Sequence, residues 1–514
     1  MDIGVAVLAH ARSTPDATAA FDGDRSLSYA ELDRRTNRLA HTLQGRFGVR
    51  PGDRVAVLLR NRLEVAEAIV ACAKAGAVYC GLNFRMSEDE YRSIFANAGA
   101  RVLVTEAPFR ELAQVLAAEF GMAVLDVDDT SDAGYGALTS ASDRPPATVH
   151  SRRPEDEFCI VYTSGTTGAP KGILFDARAV STHAMVAGLE YGMSASSRWL
   201  TTIPHNSSVQ ITLAPTFFLG GAVGFMDARG FDPGAFAAEA TRQEATHTYL
   251  VPTMLYRMLE AGLDRAAVPT LTSIGYGAAP IAPDRVTELV HRFGPVFSQL
   301  YGMAEVASIA TMLRQSDHVR IAAGRTGLTA SAGRPSFLAD VRVVTESGGD
   351  AAPGERGEVL FHTPYTMTGY HRNPEKTAET LVDGWVHSGD IGQFDDEGYL
   401  YIVDRKKDLI IRGGYNITPS EIENVLYTHP AVLEAAVVGL PDTEWGESVL
   451  AAVALRSGAS VEPEELRAHC RAAGLPSIKV PARFLTLDSL PKNAVGKIAK
   501  RDVIGLATGT AGAR

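Results

Sequence analysis

The chain has 514 residues, of which 46% are hydrophobic and 21% charged; this is the composition of a globular protein, and the length exceeds what one hydrophobic core supports. Its formal net charge of -11 excludes a basic nucleic-acid face as its main business, and no run approaches the ~18 consecutive apolar residues of a membrane span. Cys72, Cys80, Cys159 and Cys470 lie far apart without C-x-x-C spacing, so neither a zinc site nor a disulfide framework is indicated, and they read as small core residues in a reducing compartment.

At the N-terminus, the apolar stretch Ile3 to Ala9 is cut short by His10 and Arg12, unlike a signal peptide, so the expected location is cytoplasmic. Strands and helices then alternate over about four hundred residues. Val55 to Leu59 predicts a strand, Glu64 to Ala75 a helix, Arg101 to Thr105 and Ala123 to Val127 short strands, and Phe158 to Val161 a buried strand. Phe231 to Glu244 predicts a helix before the strand Thr246 to Val251. Such alternation implies an α/β domain of mostly parallel sheets flanked by helices. From about Ser331 to Tyr401 the text turns to strand and turn (Val341 to Val344, Glu358 to Phe361, Gly398 to Tyr401), a β-rich subdomain closing the large domain. The last hundred residues predict a small α+β domain, with helices at Ser420 to Tyr427 and Glu462 to Ala472 and strands near Ala435 to Val438 and Leu450 to Leu455. The tail Ala507 to Arg514 is Gly/Ala/Thr text expected to fray. The two units meet at Asp404 to Asp408, five charged residues that a core would not accept, so this reads as an exposed hinge.

After the strand Phe158 to Val161 comes Tyr162-Thr163-Ser164-Gly165-Thr166-Thr167-Gly168-Ala169-Pro170-Lys171-Gly172. Its glycines allow a tight turn with N–H groups exposed, its hydroxyls add uncharged donors, and Lys171 supplies one cation, so the stretch reads as a phosphate cradle. It is not a Walker A loop, because Lys171 is preceded by proline and followed by glycine.

Further motifs follow in order: Tyr301-Gly302-Met303-Ala304-Glu305, Gly384 to Asp390 with its Ser388-Gly389-Asp390 turn, Asp404 to Asp408, Gly413-Gly414-Tyr415-Asn416-Ile417, and Pro491-Lys492-Asn493-Ala494-Val495-Gly496-Lys497. With the glycine-rich loop they make the chain resemble, over nearly its whole length, the adenylate-forming superfamily of acyl-CoA synthetases, luciferases and peptide-synthetase adenylation domains. The resemblance implies a large AMP-binding domain over residues 1–406 and a mobile lid domain over 407–514, rotating about Lys407. It implies activation of a carboxylic acid by ATP with Mg2+, and transfer of the acyl group to coenzyme A. Thr163 to Lys171 would hold the leaving pyrophosphate, Glu305 the Mg2+, Asp390 and Arg405 the ribose, and Tyr301, Gly302 and the backbone of Gly277, Ala278 and Ala279 the adenine. Lys497 would bridge carboxylate and α-phosphate, and Gly413 and Gly414 would admit the pantetheine thiol. Two positions depart from the usual pattern: Ala304 and Val495 each replace a hydroxyl residue, a loss of about 0.5–1.5 kcal/mol per hydrogen bond.

For the acyl group, Pro204-His205-Asn206-Ser207-Ser208 is the informative stretch. Amino-acid-activating relatives carry an aspartate near Asn206; a neutral asparagine cannot offset desolvation of an ammonium, so an α-amino acid is disfavoured. His205 is expected either at the acyl pocket or as a hydrogen-bonded residue at a strand end. Gly275, Gly277 and Gly302, with Ala278 and Ala279, would leave open space beside the carboxylate, favouring a bulky hydrophobic or aryl acid. An enzyme passing its adenylate to an acyl carrier protein or partner ligase is the alternative; a nucleotide-sensing protein is opposed by the presence of Lys171, Glu305, Asp390 and Lys497 together. A homodimer is left open by the sequence. Lys497→Ala is expected nearly to abolish acyl-AMP formation while ATP binding and thiolysis of supplied acyl-AMP persist, and equal damage to both half-reactions would refute the role.

Overall fold

The computed structural model describes residues 2–131, 134–140, 150–163, 170–226, 230–405, 408–443, 445–456, 458–492 and 498–509. The large domain contains two large sheets. One has seven strands in the order Gly369–Tyr370, Lys171–Asp176, Glu157–Thr163, Val78–Gly81, Arg54–Leu58, Val102–Thr105, Ala123–Asp126. Its last five strands are parallel, and all but the edge strand Ala123–Asp126 have Val/Leu/Ala runs buried on both faces, as parallel strands require.

The other sheet has nine strands, with Ser273–Gly277 between His247–Leu250 and Phe297–Tyr301 and antiparallel pairs at both edges. The parallel run of Ser273–Gly277 beside Phe297–Tyr301 brings Gly277 and Tyr301 to one edge, the carboxyl ends of the strands, where open α/β sheets bind ligands. The helix Leu63–Ala75 is buried at all thirteen residues. Its Lys74 is satisfied by Asp33 at 2.7 Å and by Thr36 and Asn37 at 2.8 Å each; burial lowers its pKa to about 8 against the pull of Asp33.

A five-stranded sheet follows: Asp340–Val344, Gly357–His362, Trp385–Phe394 and Leu381–Val382, with Leu400–Arg405 on Trp385–Phe394. The last sheet contains Tyr415–Ile417, Ile410–Arg412, Gly446–Leu455, Val432–Asp442 and Arg483–Leu487, covered by the helices Pro419–Tyr427, Pro463–Ala472 and Lys500–Thr508. Across the junction, the Ser420 N–H donates to Asp404 Oδ2 at 3.0 Å and its hydroxyl to the Val403 carbonyl at 2.5 Å. Lys406 and Lys407 lie outside the described residues.

Most expected elements stand within a few residues of their predicted bounds. The stretch 331–401 is rich in strands, as expected, and two of them join the sheets of the large domain, Arg334–Pro335 completing the nine-stranded sheet and Gly369–Tyr370 the seven-stranded one; strands of two residues have no periodicity to read. Ala507 and Thr508, expected to fray, end the helix Lys500–Thr508, which Val503 anchors in the core and Gly509 caps at φ 72°. Ile3 to Ala9 belongs to the packed helix Ile3–Ser13, capped by Asp2. All four cysteines are free and buried, and among the described residues no helix is long and apolar enough to cross a membrane.

His183, His205 and His318 are fully buried, and burial holds each down to about 4 from an ordinary 6.5. Between these values the unfolded chain carries protons that the native one does not, so native stability is full above about 6.5 and lost as pH falls toward 4. Each histidine contributes a slope of up to about 1.4 kcal/mol per pH unit. Urea unfolding at stepped pH should show this fall; a flat profile over the window would refute it.

Candidate active site

The glycine-rich loop joins two antiparallel strands, with Thr163 opposite Lys171 and Tyr162 opposite Gly172. A strand rather than a helix follows, so no helix dipole adds to the field of the loop, and Lys171 is its cation. Ser164, Gly165, Thr166, Thr167, Gly168 and Ala169 lie outside the described residues. The Lys171 ammonium stands 5.6 Å from the centre of the Tyr370 ring, and the Tyr370 hydroxyl donates to Glu305 Oε1 at 2.6 Å. Burial, then Glu305, raises the Tyr370 pKa, so the phenol remains a donor. The backbone repeats the connection: the His371 N–H donates to the Gly172 carbonyl at 2.7 Å and the Met367 N–H to the Glu305 carbonyl at 2.8 Å. Tyr370 is thus a site residue that sequence reasoning missed; an uncharged aromatic in a two-residue strand gave no signal beyond its place after Gly369.

Glu305 sits in the single turn Ala304–Val306, and the chain leaves it through Ala307 and Ser308 at φ 53° and 76°, a left-handed pair unusual for residues with a Cβ. A Cβ on Gly302 would stand 2.8 Å from the Ser308 carbonyl oxygen and 3.0 Å from the Ala310 nitrogen, so glycine is needed there for this turn to fold back. Gly302, Gly275 and Gly277 therefore do not leave open space as expected. A Cβ on Gly277 would meet the Leu300 carbonyl at 2.4 Å, and the place beside Gly275 is filled by the Tyr191 ring at 2.8 Å. These glycines admit protein atoms, and Tyr191 is a second residue the sequence did not reveal.

On the nucleotide side, Ala278 also stands in the left-handed region at φ 67°, turning the backbone of Gly277 to Ala279 at the strand end. The Tyr301 hydroxyl donates to Asp390 Oδ2 at 2.7 Å. Arg405 lies opposite Asp390 in the strand pair, with its Nε 3.2 Å from Oδ1. Asp390 is 9% exposed, and its Oδ1 accepts no hydrogen bond among the described residues. Gly389 at φ 71° and the Ser388 hydroxyl, which accepts from the Asp390 N–H at 2.9 Å, fix the turn that aims this carboxylate.

On the acyl side, His205 and Asn206 open the short helix His205–Ser208, which runs into a π-helical stretch Val209–Leu213, a helix variant frequent at functional sites. His205 begins a helix after Pro204, not a strand end, and its Nδ1 lies 2.8 Å from the Tyr79 hydroxyl. Asn206 packs on Gly81, and its Oδ1 is buried without a partner among the described residues.

In the small domain, Gly413 and Gly414 form a tight turn at φ 56° and 82° beside the half-exposed Trp445. Lys497 lies outside the described residues. Its loop is rooted by a bridge between Lys492 and Ile498 and by Lys492 Nζ on Glu434 at 2.5 Å. Glu434 lies near enough to Tyr256 for its charge to be felt, and the Tyr256 hydroxyl accepts from the Ala282 N–H at 3.1 Å, three residues beyond the turn Gly277 to Ala279. Glu434 thus lies on the side of the small domain that meets the large one, where Arg456 also meets Glu260 at 3.3 Å.

The site therefore presents Lys171 at a hairpin, Glu305 joined to it through Tyr370, and a second buried carboxylate, Asp390, beside Tyr301 and Arg405. The sequence pattern of the AMP-binding enzyme family matches residues 7–371 and that of the AMP-binding enzyme C-terminal domain residues 421–497; the chain belongs to this family. It is 38% identical over 497 residues to feruloyl-CoA synthase of an Amycolatopsis species, covering 96% of each chain. Among solved structures it resembles the amide bond synthetase McbA of Marinactinospora thermotolerans (TM-score 0.87, 32% identity, 98% and 99% of the two chains). It also resembles o-succinylbenzoate CoA synthetase of Bacillus subtilis, solved with its acyl-adenylate (TM-score 0.85, 29% identity, 97% of each chain) and with ATP and magnesium (TM-score 0.83, 29% identity, 96% and 98%).

Tyr370→Phe keeps the ring under Lys171 and removes one hydrogen bond to a carboxylate, about 1.5–3 kcal/mol. The Mg2+ concentration for half-maximal pyrophosphate release should rise at least about tenfold; an unchanged Mg2+ dependence would refute a positioning role for this tyrosine.

Proposed function

We propose that the chain is an ATP-dependent carboxylic acid:CoA ligase, AMP-forming, acting on a bulky hydrophobic or aryl acid. The observation that carries the reading is the pairing of two acceptors: Asp390 Oδ1, buried with no hydrogen bond beside Tyr301 and Arg405, and Glu305, joined through Tyr370 to Lys171. The first suits a ribose hydroxyl next to an adenine flanked by Tyr301 and the turn Gly277 to Ala279. The second suits a phosphate chain. Among the described residues no cluster of three or more metal-ligating side chains exists, which fits a Mg2+ held by one carboxylate, phosphate oxygens and water. Bound there, Mg2+ would neutralise phosphate charge as it shifts to the leaving group.

The substrate carboxylate attacks the α-phosphorus, the bond to the β-phosphate oxygen breaks, and pyrophosphate leaves on the cradle of Thr163 to Lys171. Lys497 neutralises the crowded oxygens. The thiol of CoA, as thiolate, then attacks the activated carbonyl and AMP leaves. We assign residues 1–406 to the first step's scaffold and 407–514 to a lid pivoting at Lys407, which would bring first Lys497 and then Gly413 and Gly414 to the adenylate.

A pyrophosphate-release screen over an acid library, each acid run with and without CoA, tests the reading. Acyl-CoA formation with an aryl or long-chain acid is expected; pyrophosphate without thioester would replace it with the adenylation-only reading. The likeness to an amide bond synthetase makes an amine the further acceptor to include. Asn206→Asp would set a carboxylate beside the substrate's own, so KM for the best acid should rise at least about tenfold with kcat changed little. Wild-type kinetics across several acids would remove Asn206 from the pocket.

A further inference from the structure

Asp390 does not lie in a regular ladder. The strand Trp385–Phe394 pairs on one side with Gly357–His362, with His387 opposite Leu360 and Ile391 opposite Glu358. Between these two pairs Val359 stands alone against Ser388, Gly389 and Asp390, so the strand bulges there. Bulges are frequent beside active sites, where they re-aim a side chain, and they take backbone groups out of the ladder. Groups so displaced need other partners.

Side chains supply them. The Ser388 hydroxyl donates to the Val359 carbonyl at 2.5 Å and accepts from the Asp390 N–H at 2.9 Å. Between the two, the Gly389 N–H donates to Glu358 Oε1 at 3.2 Å, so the neighbouring strand grips the crest of the bulge through a carboxylate. Gly389 stands at φ 71°, and a Cβ there would meet no atom within 4 Å; glycine is required by the backbone conformation and not by crowding. It also makes the crest the softest point of the strand, because glycine has the widest choice of backbone angles. The nearest basic group to Glu358 in this turn, His387 Nδ1, lies 3.6 Å from the same oxygen, too far for a hydrogen bond. Glu358 is thus placed to hold the amide rather than the imidazole, and a bond from an N–H to an ionised acceptor is among the stronger ones.

The carboxylate one residue further on depends on this grip. Tyr301 and Arg405 touch Asp390 at its tip, whereas the direction in which the side chain leaves the strand is set by the bulge. Hydrogen bonds weaken steeply with misalignment.

Resting on the reading of Asp390 as the ribose acceptor, we propose that Glu358 is a positioning residue for the nucleotide: by accepting the Gly389 N–H it fixes the bulge, and with it the direction from which Asp390 meets the ribose hydroxyls of ATP. It acts through Asp390 and needs no nucleotide contact of its own.

The experiment uses the full chain and calorimetric binding of ATP and of 2′,3′-dideoxy-ATP, which lacks both ribose hydroxyls. The wild type is compared with Glu358→Gln, which keeps an acceptor at full length, with Glu358→Asp, which keeps the charge but draws the acceptor back by one methylene, and with Glu358→Ala. The wild type should bind ATP at least about tenfold more tightly than the dideoxy analogue, as a site built for hydroxyls does. Glu358→Gln should retain that preference to within about threefold, while Glu358→Asp and Glu358→Ala should lose most of it. An unchanged ratio in the Asp and Ala variants overturns the proposal, since a purely structural role would weaken both nucleotides alike or lower the melting temperature alone. The reverse pattern, with Asp retaining the preference and Gln losing it, also overturns it, the charge beside His387 then being what matters. A wild type that binds both nucleotides equally removes the ribose role from Asp390 and the proposal with it. Because binding is read without acid or CoA, these outcomes stand apart from the screen that tests the ligase reading.

Discussion

The hydrogen bond from Tyr370 to Glu305 is the interaction on which the site depends. Lys171 belongs to the seven-stranded sheet and Glu305 to a turn at the end of the nine-stranded one; the segment 367–371 touches both. A phosphate chain needs a cation and an anchored carboxylate at a fixed separation, and two sheets meeting through side-chain packing alone would leave that separation soft. Backbone hydrogen bonds at both ends of the segment and a phenol that burial keeps protonated make it stiff.

The same economy of backbone approach recurs where the nucleotide would lie. Ala278, Ala307 and Ser308 accept left-handed conformations that cost about 1–3 kcal/mol each in an unsupported chain, and Gly302 and Gly277 allow neighbouring carbonyls closer than any Cβ permits. Strain of this kind persists only where the surrounding structure over-determines it, and here both strained turns lie at the carboxyl ends of adjacent parallel strands.

How much of this was legible in the sequence follows from which interactions are local. The strands Arg54–Leu58 and Val102–Thr105 announce themselves through short apolar runs, and the helix Leu63–Ala75 through helical spacing of its apolar residues. The motif residues Asp390 and Arg405 could be named in advance, but their pairing across two strands is a register, which no local pattern states. Tyr370 and Tyr191 were illegible for a plainer reason: each acts through a contact more than sixty residues away in the chain, and an aromatic residue among apolar neighbours looks like core. The glycines were visible yet misread, since a missing side chain can make room for ligand or for protein, and only the fold says which.

Lys74 points to a practical use of the molecule. The chain holds nine lysines, and this one is sealed inside the domain with its ammonium fully engaged. Amine-reactive reagents will therefore leave it unmodified in the native protein. Of the eight that remain, three, Lys171, Lys407 and Lys497, are those proposed for phosphate, pivot and adenylate, so a covalent lysine footprint, compared with and without nucleotide, reads these positions with no background from Lys74.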